Sequence, residues 1–329
     1  MSASRTRFKA DLSLVIATYD RPAMLAETLG SCLAQTNRLG LAIEIVVIDN
    51  HPSRNGQPVA EGLAASAVFP IRYVVEPTRN MSALRNRGFA EASGRYLAFI
   101  DDDEQADADW TDELVAALRA TGADIAVGPR LARFAAGSPP PYDPQGRQFS
   151  RDLGLPDLAE VHLARADGKP RYGLGTGNSL FDVDRCFGED RAPMRLSFGD
   201  AGGEDAELFV RLSRAGRRIV WAAKAKVTET VPPHRTEVAY RLIRTRRETQ
   251  HYVAIYLDGA RHPRLALVSL WLKGALQLAA GAALAALTAE FGSKTRLRGR
   301  LLMEHGRGKL RRDQPVGYIA ETIQTEPSQ

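Results

Sequence analysis

Residues 95–110 read RYLAFIDDDEQADADW. Leu97, Ala98, Phe99 and Ile100 run without a break into Asp101, Asp102, Asp103 and Glu104. A short continuous apolar run is the pattern of a strand buried on both faces, so the acids fall at its carboxyl end. Four carboxylates at one point repel and raise one another's pKa unless positive charge stands among them. A cation, or a ligand that carries one, is the expected partner.

Outward from this strand the same pattern repeats. LSLVIAT (12–18), IEIVVIDN (43–50) and IRYVVE (71–76) are further short apolar runs. After the first of them Pro22 sits at a helix start, and Leu25, Leu29 and Leu33 recur every four residues. Helices are predicted over 80–94 and 109–122, stopped by Gly94 and Gly122, with another strand in ADIAVG (123–128). Such alternation predicts an α/β fold, a doubly wound and mostly parallel sheet with right-handed crossovers. Ligands of these sheets bind at the carboxyl ends of the strands, which is where the acid cluster lies.

Between 133 and 171, around AAGSPPPYDPQGRQ, no period is sustained, and a loop of that length is usually functional or disordered. Order resumes in GLGTGNSLF (173–181), in a helix over GGEDAELFVRLSRAG (202–216) and in a strand over RRIVWAA (217–223). After ETVPPHR (229–235) the chain turns helical and basic, with Arg241, Arg244, Arg246 and Arg247. It then enters an apolar segment, 265–289, long enough to span a bilayer. Lys273 near its middle would cost roughly 3 kcal/mol there. Ser269, Lys273 and Gln277 make a polar stripe, and basic residues flank both ends (Arg261 and Arg264; Lys294, Arg296, Arg298 and Arg300). The expectation is a helix resting on a membrane surface or packed on the protein, not a single span.

The chain has 329 residues, 44% hydrophobic and 25% charged, enough for one large domain with an appendage or for two domains. A net charge of +5 suits a small anionic ligand or an acidic membrane surface and gives no reason to expect nucleic acid. Cys32 falls in the first apolar helix and reads as a buried reduced thiol, which fits a reducing compartment. Arg5, Arg7 and Lys9 precede only six apolar residues with no small-residue cleavage site, so the start reads as a strand and not a secretory leader.

Four features can carry chemistry. Asp101 and Asp103, at alternate positions, can be splayed by a turn so that one faces a divalent cation and the other a ribose hydroxyl. Magnesium takes one or two carboxylates together with its substrate's phosphates, and the cation then stabilises a leaving diphosphate. Glu204 and Asp205 follow Gly202 and Gly203 in the first turn of a helix. Acids there complement the helix dipole, or one of them serves as the general base for an attacking hydroxyl. Arg85 and Arg87 lie near the sheet edge, where an arginine can neutralise a diphosphate or brace a carboxylate. Asp49, at the end of the second apolar run, can accept from a nucleobase N–H.

In this order, VIATYDRP, VVIDN, ALRNRG, FIDDDE, GTGNSLF and GGEDAELFVRLSRAG resemble the family 2 glycosyltransferases of the GT-A fold, over about residues 11 to 235. The resemblance implies that Thr18, Tyr19, Arg21 and Asp49 line the base and ribose pocket of a nucleotide-sugar. It places Arg85 near the diphosphate and Asp101 and Asp102 near the ribose. Asp103 would bind Mn²⁺ or Mg²⁺, with His234 as a further ligand, and Asp205 would be the catalytic base. Asn178 and Glu204 would meet the acceptor. It also implies a catalytic domain over 1–235, with a nucleotide-sugar half over about 11–130 and an acceptor half over about 131–235. Residues 236–329 would form a helical region able to touch a membrane. The segment from ETVPPHR onward is similar to a subgroup that builds bacterial exopolysaccharides. RLIRT (241–245) has Thr245 where processive synthases carry tryptophan, so one sugar is expected per reaction.

The implied reaction is inverting transfer from a nucleotide-sugar, a UDP-sugar foremost, to a glycan or polyprenyl-linked acceptor. The implied place is the cytoplasm or the inner face of the cell membrane. A sugar nucleotidyltransferase shares the sheet topology, but it places a glycine-rich loop after the first strand, and ATYDRP contains no glycine. A non-catalytic glycan- or membrane-binding module on the same scaffold is the other reading.

Overall fold

The apolar runs at 12–18, 43–50 and 97–100 become inner strands of one sheet because each can bury both faces, whereas IRYVV (71–75) is an edge strand and only partly buried. A computed structural model describes residues 8–163, 170, 173–287 and 293–311. Arg5 and Arg7 lie outside these residues, as do parts of three expected segments: 164–169 and 171 of the insertion, 288–289 of the apolar segment, and 312–329.

In chain order the elements are β1 (Ala10–Thr18), α1 (Pro22–Leu33), β2 (Ile43–Asp49), α2 (Gln57–Ala64), β3 (Ile71–Val75), α3 (Met81–Glu91), β4 (Gly94–Asp101) and β5 (Glu104–Ala106). Next come α4 (Trp110–Thr121), β6 (Ile125–Val127), β7 (Arg130–Phe134), β8 (Ser179–Asp182), α5 (Val183–Phe187), α6 (Leu196–Gly199) and α7 (Glu204–Arg214). The chain ends with β9 (Ile219–Trp221), β10 (Val227–Val231), a 3-10 turn (Pro233–Thr236), α8 (Val238–Asp258), α9 (Pro263–Leu287) and α10 (Ser293–Leu310).

The main sheet runs β3-β2-β1-β4-β8-β6-β9, with β8 antiparallel to both neighbours and the other pairs parallel. Side chains alternate across β1. Leu12, Leu14 and Ile16 pack with Leu25 and Leu29 of α1 and Leu114 of α4. Val15 and Ala17 pack with Leu84 and Phe89 of α3 and Leu208 of α7. Both faces are therefore core, which is why the run reads as continuous. Register brings Thr18 opposite Asp49 and Ala17 opposite Asp101, so the carboxyl ends of three strands finish together. Cys32 and Cys186 are both buried and free.

A second sheet, β5-β10-β7, did not emerge from the sequence pattern. Its strands are short, and β10 (VTETV) buries only alternate residues. It nonetheless fixes the acid run, because β10 pairs with β5 and sets Glu229 opposite Glu104.

The described part of the 133–171 insertion is anchored at both ends. Arg151 bridges to Arg130, and Glu160 bridges to Val220. The Leu158 and Val161 amides donate to the Trp221 and Ile219 carbonyls at 2.8 Å, covering the outer edge of β9.

Beyond the sheets, α8 lies against α7, where Arg214 donates to the Ile255 carbonyl at 3.1 Å. α9 and α10 run antiparallel as a hairpin. A Cβ on Gly281 would lie 2.7 Å from the Gly299 carbonyl, so only glycine permits the crossing. Arg246 of α8 holds Glu304 of α10 at 2.6 Å.

Candidate active site

The turn after β4 is clamped from several sides. Asp102 is buried and accepts from Thr18 Oγ1 (2.8 Å), the Tyr19 amide (3.3 Å) and Arg21 Nη1 (3.1 Å). Thr28 Oγ1 of α1 reaches the carbonyls of both Asp102 (2.9 Å) and Glu104 (2.7 Å). The first strand-helix unit thus positions the acids through a hydroxyl and a guanidinium that the sequence places just beyond an apolar run.

Asp103 points to a different set of groups. Its Oδ2 meets Arg21 Nη1 at 3.1 Å and Arg235 Nη1 at 3.5 Å. Glu229 stands beside it, bound by Arg130 Nε (3.1 Å) and Arg235 Nη1 (3.0 Å). Burial, then the Glu229 charge, push the Asp103 carboxyl up to about 7.

A second cluster centres on Arg85, which is buried in α3. Its Nη2 meets Asp101 Oδ1 at 2.9 Å, and its Nε meets Asp205 Oδ1 at 3.2 Å and Glu204 Oε1 at 4.0 Å. Burial opposes a charge on Arg85, but Asp205, Asp101 and Glu204 outweigh it and hold the guanidinium charged. Burial likewise opposes charge on Asp101, yet Arg85 keeps that carboxyl below its usual range. Arg85 therefore braces the carboxylates. Arg87, by contrast, makes a surface pair with Glu91 at 2.9 Å.

Glu204 and Asp205 are set apart by their surroundings. Burial, then the neighbouring Asp205, push Glu204 up to about 8. The Asp205 side chain is 19% exposed against 6% for Glu204. Its Oδ1 accepts from Thr176 Oγ1 at 3.0 Å, while its Oδ2 faces the space left by the missing side chain of Gly175. The turn that delivers this pair needs glycine: Gly203 has φ +91°, and a Cβ there would lie 2.6 Å from the His251 ring. Glu104 is fully buried, and burial followed by Asp101 raises it well above the usual carboxylate range. A Cβ on Gly177 would stand 2.7 Å from both Asp101 Oδ2 and Glu104 Oε1.

Asp49 is 0% exposed and holds the following loop, accepting from the His51 amide (2.8 Å), the Gly56 amide (3.2 Å) and Tyr73 Oη (2.7 Å). Those three protein donors occupy the oxygens expected to meet a base. Tyr19 packs edge-on against His51, with ring centroids 4.9 Å apart, and its hydroxyl accepts from Arg79 at 3.2 Å. Asn178, expected at the acceptor, is also 0% exposed. Its amide donates to the Pro129 and Ala225 carbonyls and accepts from Trp110 Nε1, so its side chain ties β8 to its neighbours.

His234 lies in the 3-10 turn, its ring 6.0 Å from that of Tyr240. Burial, then Arg235 and Arg21, keep its imidazole below the usual range and so neutral, the form that can ligate a metal. Among the described residues no three His, Cys, Asp or Glu side chains converge as a metal cluster. A divalent ion would thus need substrate oxygens, and a buried carboxyl crowded by a second acid, as Asp103 is, fits that requirement.

The glycosyl transferase family 2 model matches residues 13–192, more than half of the chain. The chain belongs to glycosyltransferase family 2. A relative, the succinoglycan biosynthesis protein ExoM of Rhizobium meliloti, is 32% identical over 255 residues, 78% of each chain. The glucosyl-dolichyl phosphate glucuronosyltransferase of Haloferax volcanii is 22% identical over 252 residues, 71% of this chain and 74% of that one. Among solved structures, S. aureus TarS 1–349 in complex with UDP superposes with a TM-score of 0.54 at 15% identity, covering 97% of this chain and 93% of that one. The mannosyltransferase PcManGT from Pyrobaculum calidifontis, in complex with GDP-Man and Mn²⁺, does so with 0.51 at 18%, covering 91% and 87%. The fold is GT-A, and membership sets aside the nucleotidyltransferase reading.

In this family 2 glycosyltransferase the structure gathers Thr18, Tyr19, Arg21, Asp102 and Asp103 at one place and Arg85, Asp101, Glu204 and Asp205 at an adjoining one. Several residues went unnoticed in the sequence. Arg235 and Glu229 reach Asp103 by way of the second sheet, whose pattern is weak. Arg151 arrives from the insertion and donates to the Gly175 carbonyl at 3.1 Å and to that of Gly177, supporting the turn opposite Asp205. Burial, then Arg130, lower the Arg151 guanidinium to about 10. A lone arginine in a proline-rich loop gives no signal; only its partners reveal it.

Proposed function

We propose that this chain is an inverting, metal-dependent glycosyltransferase. It moves one sugar from a nucleotide-sugar, a UDP-sugar foremost, to a glycan or polyprenyl-linked acceptor in bacterial polysaccharide or cell-envelope synthesis. The supporting observation is the split between two acids. Asp103 sits among arginines at the strand ends, while Asp205 stands in the next cluster with one oxygen held by Arg85 and Thr176 and the other facing Gly175.

In this reading Asp205 accepts the proton of an acceptor hydroxyl as its oxygen attacks the anomeric carbon. The carbon–oxygen bond to the diphosphate breaks on the opposite face, and the configuration inverts. Arg85, charged and buried, aims Asp205 by pairing with its Oδ1. Thr18, Tyr19, Arg21, Asp101 and Asp102 border the ribose and diphosphate, and Asp49 acts on the base pocket by holding the loop 51–56. Asp103 and His234 would hold Mn²⁺ or Mg²⁺, which would supply charge stabilisation for the leaving diphosphate.

The donor class draws support from neighbours described with UDP, UDP-GlcNAc and GDP-Man. The polysaccharide setting rests on the ExoM relative, and a lipid-linked acceptor on the dolichyl phosphate in the name of the Haloferax relative. The catalytic unit would be residues 1–235, working in the cytoplasm or on the inner face of the membrane through 236–329.

The test is a pair of variants. Asp205→Asn is expected to keep donor binding and lose transfer by about 10²- to 10⁴-fold. Asp103→Ala should lose the thermal shift that nucleotide-sugar and Mn²⁺ together produce, as should the wild type after chelation. Transfer by Asp205→Asn at the wild-type rate, or an undiminished shift in Asp103→Ala, would defeat the assignment.

A further inference from the structure

The C-terminal hairpin has two faces of different character. Ala266, Leu270, Gly274 and Gly281 of α9 are buried, with Gly274 and Gly281 tight against α10. On the opposite face Leu265, Val268, Leu272 and Leu276 are 50–70% exposed, and Ala279 and Ala283 continue the stripe. These positions recur at helical spacing and form one apolar band. Arg264 and Lys273 lie at its two edges, Arg261 is exposed just before it, and Arg296, Arg298 and Arg300 are exposed on α10, which packs on the other face. Among the described residues from Ala260 to Arg311 the only acid is Glu304, which is buried between Arg246 and Arg307.

We propose that the α9–α10 hairpin docks in the plane of an anionic lipid bilayer. The Leu265–Val268–Leu272–Leu276 face sinks to the acyl boundary, and Arg261, Arg264 and Lys273 meet the headgroup phosphates. An apolar band with a basic rim and, among the described residues from Ala260 to Arg311, no exposed acid complements anionic lipid, whereas a second copy of the same face would set like charges together. A spanning α9 is disfavoured by its partner. Gly299 of α10 crosses α9 at Gly281, so Arg296, Arg298 and Arg300 would be drawn into hydrocarbon, where arginine is costly.

The docked hairpin reaches the site through α8. Gly308 of α10 lies against Thr249, whose Oγ1 bonds His305 Nδ1 at 2.9 Å. Two residues on, His251 covers Gly203, the residue before Glu204 and Asp205. The hairpin is therefore joined through α8 to the turn that carries Glu204 and Asp205. A corollary, resting on the proposed function, is that the acceptor is borne on a lipid in the same leaflet.

Flotation of the full chain with phosphatidylcholine vesicles, with and without phosphatidylglycerol, tests the docking without any sugar transfer. Its failure is thereby separate from failure of the catalytic reading. Binding is expected only with phosphatidylglycerol, and to be reversed by high salt. Leu272→Asp/Leu276→Asp should weaken it at least about tenfold. Arg261→Glu/Arg264→Glu/Lys273→Glu should do the same, and both variants should keep the wild-type thermal midpoint. The proposal is overturned if the wild type does not bind, if either variant binds as well as wild type, or if cell membranes release the protein only to detergent. It is overturned equally if the hairpin face proves to hold a dimer that the leucine variant dissociates.

Discussion

Glu204 and Asp205 share one helical turn and one arginine, yet the Asp205 side chain is 19% exposed and that of Glu204 only 6%. Glu204 is raised from 4.5 to about 8, so the folded chain keeps a proton that the unfolded chain has released. That contribution to stability is complete at low pH and is lost as pH rises through the folded value. The midpoint temperature of the wild type should therefore fall between about pH 5 and 8, and Glu204→Gln should flatten the fall. Asp103, raised from 3.8 to about 7, adds a slope in the same direction, so the flattening is partial. Thermal melts across that range check this, and an unchanged slope in Glu204→Gln would show that its carboxyl is not held neutral. The same burial bears on catalysis: a carboxyl that holds its own proton cannot take one from an acceptor, which makes Glu204 a poor general base.

The elements that matter most are short. β5 has three residues and β10 has five, but together they carry Glu104, Glu229 and the Thr230 amide, which donates to the Asp103 carbonyl at 2.8 Å. The acid turn is thereby pinned by a strand more than a hundred residues away in sequence. The turn into α7 is equally constrained, with Gly203 left-handed and pressed on His251 of α8. Gly203→Ala should cost about 1–3 kcal/mol, from a strained backbone and from the displaced ring. His251→Ala should restore only the second part. Urea denaturation of the single and double variants measures both, and a Gly203→Ala protein as stable as wild type would contradict the packing described.

At the scale of the whole molecule, α8 packs on the hairpin, and Glu304 of α10 is buried in that contact. Glu304→Leu should loosen the hairpin, costing about 1–3 kcal/mol because Arg246 and Arg307 lose a shared acceptor. Differential scanning calorimetry reads this as a lowered midpoint, and no change would mean that the glycine crossings alone hold the hairpin. Much of this architecture was legible in the chain. Continuous apolar runs such as 12–18 and 97–100 determine doubly buried strands, because burial on both faces removes any alternation, and the acids that follow must then emerge at the ligand edge. The Gly202–Gly203 pair before Glu204 and Asp205 likewise marks a turn that only glycine can make. What the chain could not reveal was which charges meet. Whether Arg85 would face a ligand or brace Asp101 and Asp205, that Asn178 and Asp49 would be closed off inside the protein, and that Arg151, Glu229 and Arg235 would converge on the site were decided by the tertiary structure. Local spacing determines which face of an element a side chain takes. The partner that neutralises it comes from wherever the packed layers bring another charge within about 4 Å, and that depends on the whole fold.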